Sequence, residues 1–399
     1  MKRKAVSATL AQAVQAGVSF ILQILVLRLL GIDDYGRFAV LYGVIVLAMA
    51  VVSGLVGDSL VVLHRDRPPV RAALELTALV MTLGLGLVAT LVAFASGFVD
   101  LLETTAFGLA LVAFVTMEVV RRVMIARLVF VRVVLADLIG FATTVAILAL
   151  VSTAGELALS VFLLAVSAGQ TVAFVAGWRL LPAVERRLVP IRSPDLGSVW
   201  RYGSWRALQQ TLRPALFTVV RVLVVGYAGV AAVGMLEAGR TYVSPLVLVV
   251  GGFSSLLFVR FADRAKDGGT GSLREADRVV GALILISIAL GAIALALRPW
   301  VGPLLFGIDL DLTAVLAWIA YGMSVAMVTP YGALSAVSGR QAVVFLIRLA
   351  DTVLAATAAL ACLALGISYT IVPFALAGAS VLGGVALRWV AVRGERASG

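Results

Sequence analysis

Twelve stretches of mostly apolar residues, most of them about 20 residues or longer, recur along this 399-residue sequence. A helix of about 20 such residues spans the hydrocarbon core of a bilayer. Only helices and closed barrels satisfy their own backbone groups there. The runs lie at roughly 5–30, 37–62, 73–97, 103–121, 133–152 and 157–180, then at 204–226, 231–259, 279–297, 311–337, 342–365 and 368–389. The sequence therefore predicts an all-α polytopic membrane protein with about twelve transmembrane helices. Composition agrees, with 13% charged residues against roughly 25% in a soluble domain. The fourth run is the weakest span, because Glu118, Arg121 and Arg122 crowd its end.

Charge falls between the runs in an ordered way. Counting from an inside amino terminus, the loops on that side hold Arg65 and Arg67, then Arg121 to Arg132, Arg179 to Arg206, Arg260 to Arg278, Arg340 with Arg348, and Arg388 to Arg396. The opposite loops hold Asp33, Asp34, Asp100, Glu103, Glu156, Asp309 and Asp311. This positive-inside bias predicts that both termini are cytoplasmic. It also explains the net charge of +11 as membrane orientation, so no nucleic-acid partner is expected. The opening Lys2-Arg3-Lys4 and the later Ala11-Gln12-Ala13 imitate a signal peptide, but apolar sequence continues to Leu30. An uncleaved first helix is the expectation. Arginine greatly outnumbers lysine, which suggests a GC-rich bacterial genome and the bacterial cytoplasmic (inner) membrane. One cysteine, Cys362, and one histidine, His64, exclude a disulfide framework and a His cluster for a metal. No cofactor is implied.

The chain can be laid on itself at an offset of 198. Gln12, Gln15, Ser19 and Gln23 then meet Gln210, Arg213, Phe217 and Arg221, while Gly31 and Gly36 meet Gly229 and Gly234. Further on, Leu135-Ala136-Asp137 is echoed by Leu349-Ala350-Asp351. Six helices per half is an even number, so the two halves enter from the same side. The reading is two parallel six-helix bundles, 1–185 and 204–399, joined by a cytoplasmic linker at 186–203. Transporters with this symmetry place substrate between their repeats.

The stretch from Tyr202 to Arg264 holds Arg213, Arg221, Glu237 and Arg240 inside apolar sequence. Three arginines at mid-depth facing lipid would cost roughly 8–10 kcal/mol on the insertion scale. Ionisable residues at such places mark a polar path or a partner. Residues 210, 213, 217 and 221 share one helix face, with Arg213 and Arg221 about 12 Å apart along the axis. Pro214 between them permits a kink. The matching face of the first helix is polar but neutral, apart from Arg28 near its outer end. Arg221 has no carboxylate three or four residues away and can bind a pyrophosphate, or pair with another helix. Glu237 and Arg240, at i and i+3, can pair on one face.

The sequence resembles the O-antigen and exopolysaccharide flippases of the multidrug/oligosaccharidyl-lipid/polysaccharide (MOP) exporter superfamily. The resemblance rests on Gly31 to Gly36 with Tyr35 and Phe38, on its echo from Gly229 to Gly234, and on Thr241 through Leu246 to Phe261-Ala262-Asp263. The basic segment Arg121 to Arg132 adds to it. It implies two bundles that open alternately, a polyprenyl-pyrophosphate-linked oligosaccharide as substrate, and basic residues lining the path. Carried onto this chain, the substrate-binding residues are Arg221, Arg213 and Arg240, with Gln210, Gln12, Gln15 and Gln23. Glu237, Asp58 and Glu118 are candidates for coupling or gating. The expected partners are the lipid-linked glycan and membrane lipids, with possible contact to a glycan polymerase or glycosyltransferases, and the protein is expected to work as a monomer.

Other readings remain open on the residues alone. A cation-coupled multidrug exporter of the same superfamily would want carboxylates and aromatics along its path. A membrane glycan polymerase or glycosyltransferase would want acid/base or metal-binding residues at a membrane face. Glu118 with Arg121 and Arg122 also reads as an ion cluster at a helix end, and Asp137 and Asp351 as partners of Arg132 and Arg348. Trp178, Trp200, Trp300 and Trp389 fall near helix ends, as an aromatic belt does.

Overall fold

The expected helices all form, and their ends differ from the apolar runs for local reasons. The computed structural model describes residues 2–153, 155, 157–187, 189–190, 193–266, 273–337 and 340–398, excluding the side chains of 2–6, 253–266, 336–337 and 394–398. Glu156 and the charged segment Arg260, Asp263, Arg264 and Lys266, with Phe261 and Ala262, therefore lie outside the described side chains. The described residues contain no strand. They form two compact units, Met1–Thr218 and Val219–Gly399.

The first unit begins with α1 (Lys2–Val52), a π-helical turn (Ser53–Gly57) and α2 (Asp58–Val62). It continues through α3 (Pro68–Ser96), α4 (Leu101–Ala126), α5 (Phe130–Ser152), α6 (Leu159–Leu180), a short α7 (Ala183–Arg186) and the first two-thirds of α8 (Leu196–Ala228). The second unit takes the rest of α8, α9 (Val230–Lys266) and α10 (Leu273–Val301) with a π-helical turn at Gly302–Phe306. It ends with α11 (Leu312–Val337), α12 (Gln341–Ala364) and α13 (Val372–Ser398). Among the described residues, ten stretches are long and apolar enough to cross a membrane. The first, Ser7–Val62, contains two spans, and α4 is not among the ten.

α1 breaks where the sequence repeat places its first glycine. Gly31 has φ 82° and ψ −176°, outside helical space, and separates two helical arms. Gly229, its counterpart between α8 and α9, has φ 85°. The combination at Gly31 is essentially restricted to glycine, and the φ at Gly229 is one that L side chains rarely adopt. A Cβ at either position would meet nothing within 4 Å, so backbone conformation, not crowding, requires glycine at both. The flanking positions match as well: Val26 and Val224 are both fully buried, as are Tyr35 and Val233.

Within the first unit α4 packs against α6, α3 and α1, burying Phe107, Leu111, Val115 and Met117. α5 and α6 approach closely through Gly140 and Gly169; a Cβ on Gly169 would lie 2.6 Å from the Gly140 carbonyl oxygen. Small residues let membrane helices approach in this way. In the second unit α11 has the central place, against α13, α9 and α10. Outward faces such as Leu83, Leu87 and Leu91 of α3 stay exposed and apolar, as lipid contact requires.

The proline-rich segment after α6 is tied down. Arg71 donates to the carbonyls of Glu185 (3.1 Å) and Arg187 (2.6 Å), and Val189 N–H donates to Glu75 (3.1 Å). Asp195 then caps α8, accepting from the Ser198 N–H (3.1 Å) and hydroxyl (2.7 Å). α8 thus begins at Leu196, eight residues before its apolar run. Its first turns pack on the π-helical turn of the first unit, with Gly203 against the Leu55 carbonyl and Gly54 against Ala207. The boundary between the two units falls at Thr218, inside α8.

Candidate functional site

Arg221 of α8 converges with Glu237 and Arg240 of α9 in the second unit. Arg221 is buried and donates through Nε to Glu237 Oε1 (3.0 Å) and through Nη2 to Oε2 (3.1 Å). Arg240 donates from Nε to the same Oε2 at 2.7 Å. The Glu237 side chain is 4% exposed and that of Arg240 is 25% exposed, so Arg240 forms the open edge of the group. Two guanidiniums share one carboxylate. Trp318 of α11 fixes this part of α9, donating its indole N–H to the Leu236 carbonyl (2.9 Å) and packing against Gly239.

The first unit builds a neutral counterpart at the equivalent positions. The Tyr35 hydroxyl donates to Gln23 Oε1 (3.2 Å), and Ser19 and Tyr42 share a hydrogen bond at 3.3 Å. At the offset of 198, Gln23, Ala39 and Tyr42 stand where the second unit has Arg221, Glu237 and Arg240. The same helix pair is held by hydroxyl and amide groups in one half and by ions in the other.

A second cluster joins α2 to the start of α8. Asp58 Oδ2 accepts from Arg206 Nε (2.6 Å) and from Gln210 Nε2 (2.9 Å), and Arg206 also donates to Gln209 (2.8 Å). Asp58 directly follows the π-helical turn, a feature frequent at functional sites.

The third cluster is buried under that turn. Glu118 accepts from Ser53 (2.8 Å), Arg122 (2.7 Å) and Arg121 (2.8 Å), and Arg121 also reaches Asp137 at 2.6 Å. This corrects the pairing of Asp137 with Arg132, which donates instead to the Leu180 carbonyl. Arg121 is the nearer partner because it projects from α4 into the packed interior of the unit, whereas Arg132 is exposed. Asp351 does pair with Arg348, at 3.2 Å.

The ten candidate residues thus fall into separate groups. Arg221, Glu237 and Arg240 meet; Gln210 meets Asp58; Glu118 stands in its own network; Gln23 holds Tyr35. Gln12 and Gln15 are exposed on α1, and Arg213 is partly buried just before Pro214, through which α8 continues as helix. Sequence reasoning missed Ser53, Arg206 and Trp318. Trp318 carried a signal, being a tryptophan seven residues inside an apolar run rather than at its end.

No protein-family model matches the chain, and no curated protein does. Solved structures match over nearly its whole length. One is the inward-facing conformation of a multidrug resistance MATE family transporter of the MOP superfamily, at TM-score 0.73 and 15% identity, covering 96% of each chain. Another is MATE in its straight conformation, at TM-score 0.68 and 14% identity, covering 99% of this chain and 95% of the other. A third is a MOP superfamily transporter from Pyrococcus furiosus, described as having a binding pocket of reverse polarity that suggests a different function. It matches at TM-score 0.64 and 13% identity, covering 99% and 94%. This chain has the MATE transporter fold.

Proposed function

We propose that the protein moves a polyprenyl-pyrophosphate-linked oligosaccharide across the cytoplasmic membrane by alternating access, for surface polysaccharide synthesis. The observation that carries this reading is the group of two guanidiniums to one carboxylate at Arg221, Glu237 and Arg240. A pyrophosphate brings the missing negative charge, and guanidinium binds it through paired, charge-assisted hydrogen bonds. Arg240, at the open edge, makes that contact. Arg221 fixes Glu237, and Glu237 in turn aims Arg240. Arg213, Gln12, Gln15 and Gln23 serve the polar remainder of the substrate. Asp58 with Arg206 and Gln210 forms a gate latch, and the Glu118 network supports the turn that carries it.

The second reading is cation-coupled multidrug export, favoured by the description of a similar structure as a multidrug resistance transporter. A cationic drug needs an available carboxylate, and Glu237 already receives two arginines. The two readings separate in a binding experiment on purified protein. The flippase reading predicts that Arg240→Ala weakens binding of a short polyprenyl pyrophosphate at least tenfold and leaves binding of a cationic dye unchanged. Dye binding with no measurable affinity for the pyrophosphate lipid would favour drug export.

A further inference from the structure

A cavity of about 90 Å³ lies in the first unit at the ends of α2, α3, α4 and α6. One water needs roughly 10–15 Å³ of such space, so the cavity can take several waters or a short length of hydrocarbon. Its floor is apolar, with Leu60, Leu74, Val120 and Leu181. Its rim is ionic and carries equal numbers of each sign: Arg65 and Arg71, Glu75 and Glu185. Arg71 sits in the first turn of α3, and Trp178 on the wall stands two residues before the end of α6. Both mark the boundary between hydrocarbon and headgroups, where tryptophan is enriched.

We propose that this cavity binds an aminophospholipid, with its phosphate on Arg65 and Arg71, its ammonium on Glu75 and Glu185, and the start of one acyl chain on the apolar floor. Two guanidiniums and two carboxylates at the rim match a headgroup that carries both signs, whereas an anionic headgroup would meet the two carboxylates. The ionic rim already has partners. Arg71 donates to Glu75 (2.9 Å), Arg65 donates to the Leu60 carbonyl (3.2 Å), and Arg127 donates to Glu185. Arg65 is still held below the ordinary guanidinium pKa, first by burial and then by the nearby Arg127. The negative charge of a phosphate would offset both effects. An ethanolamine headgroup also donates hydrogen bonds to carboxylates, which choline does not. Because Arg71 and Glu75 also hold Glu185, Arg187 and Val189, a bound lipid would reinforce the attachment of the linker segment to this unit.

Native mass spectrometry of the delipidated full-length protein tests the proposal, with phosphatidylethanolamine, phosphatidylglycerol and phosphatidylcholine added in turn. The expected result is saturable binding of phosphatidylethanolamine at least tenfold tighter than of the other two. Glu75→Gln keeps an acceptor for Val189 but removes a charge, and should abolish that preference. Val123→Trp fills the cavity from α4 and should reduce binding at least tenfold. Equal affinity for the three lipids in the wild type would overturn the proposal, whatever the variants do. So would a preference for phosphatidylethanolamine that survives Glu75→Gln.

Discussion

Arg221 and Glu237, sixteen residues apart, meet as a two-point ion pair at 3.0 and 3.1 Å with both side chains buried. Sequence spacing suggests only the pairing of Glu237 with Arg240. The two helices on either side of Gly229 bring the third partner in, and Glu237 becomes the shared centre of the group.

Breaking that centre should be costly. Removal of one member of a buried ion pair leaves an uncompensated charge, a loss of about 3–5 kcal/mol. Glu237→Ala should therefore lower the unfolding temperature in detergent far more than Arg240→Ala, whose side chain is a quarter exposed. Replacing Arg221 and Glu237 together with Met and Leu should recover most of the loss.

The paired glycines give a second test. Gly31→Ala and Gly229→Ala should each cost about 1–3 kcal/mol, because both positions require positive φ. Gly17 lies within α1 with nothing within 4 Å of an added Cβ. Gly17→Ala should be neutral or stabilising by about 0.5–1 kcal/mol. Thermal unfolding of the three variants separates backbone conformation from crowding.

The contact between the π-helical turn and α8 should tolerate no added volume. A Cβ on Gly203 would lie 2.3 Å from the Leu55 carbonyl oxygen, and one on Gly54 would lie 2.3 Å from Ala207 Cα. Either Gly→Ala change should destabilise by about 1–3 kcal/mol through overpacking. A double-mutant cycle of Asp58→Asn and Arg206→Gln should give a coupling of only about 1 kcal/mol. The Arg206 side chain is 38% exposed, and solvent screens the pair.

The start of α8 predicts a pH effect. Hydrogen bonds from the Ser198 hydroxyl and N–H hold Asp195 below its ordinary value of 3.8. A depressed acid gives stability that is present above its unfolded pKa and lost as pH falls through the folded one. The stability gap between wild type and Asp195→Asn should be full at pH 6 and should close below pH 3.8.

The all-α class and most of the spans could be read from apolar length, since a bilayer sets one dimension for every span; α4, with Glu118, Arg121 and Arg122 near its end, does not pass that test by itself. The glycines at 31 and 229 could be read because only glycine serves that backbone conformation. The early start of α8 was hidden because Asp195 and Ser198 act through local hydrogen bonds, while the apolar run begins later. The π-helical turn at Ser53–Gly57 has no hydropathy signature at all. At the candidate site, which residues are ionisable was plain, and which of them pair was not. Asp137 chose Arg121 over Arg132 and Arg221 found Glu237 through packing between helices, which spacing along one helix cannot reveal.

In the proposed function the Arg221, Glu237 and Arg240 group helps to carry an anion. The direct measurement is outward movement of a lipid-linked oligosaccharide in proteoliposomes by the wild type, Arg240→Ala and Arg221→Ala, with folded protein matched by thermal unfolding. The account predicts movement by the wild type, at least a tenfold loss in Arg240→Ala, and a loss in Arg221→Ala as well. Wild-type rates in both variants would contradict it.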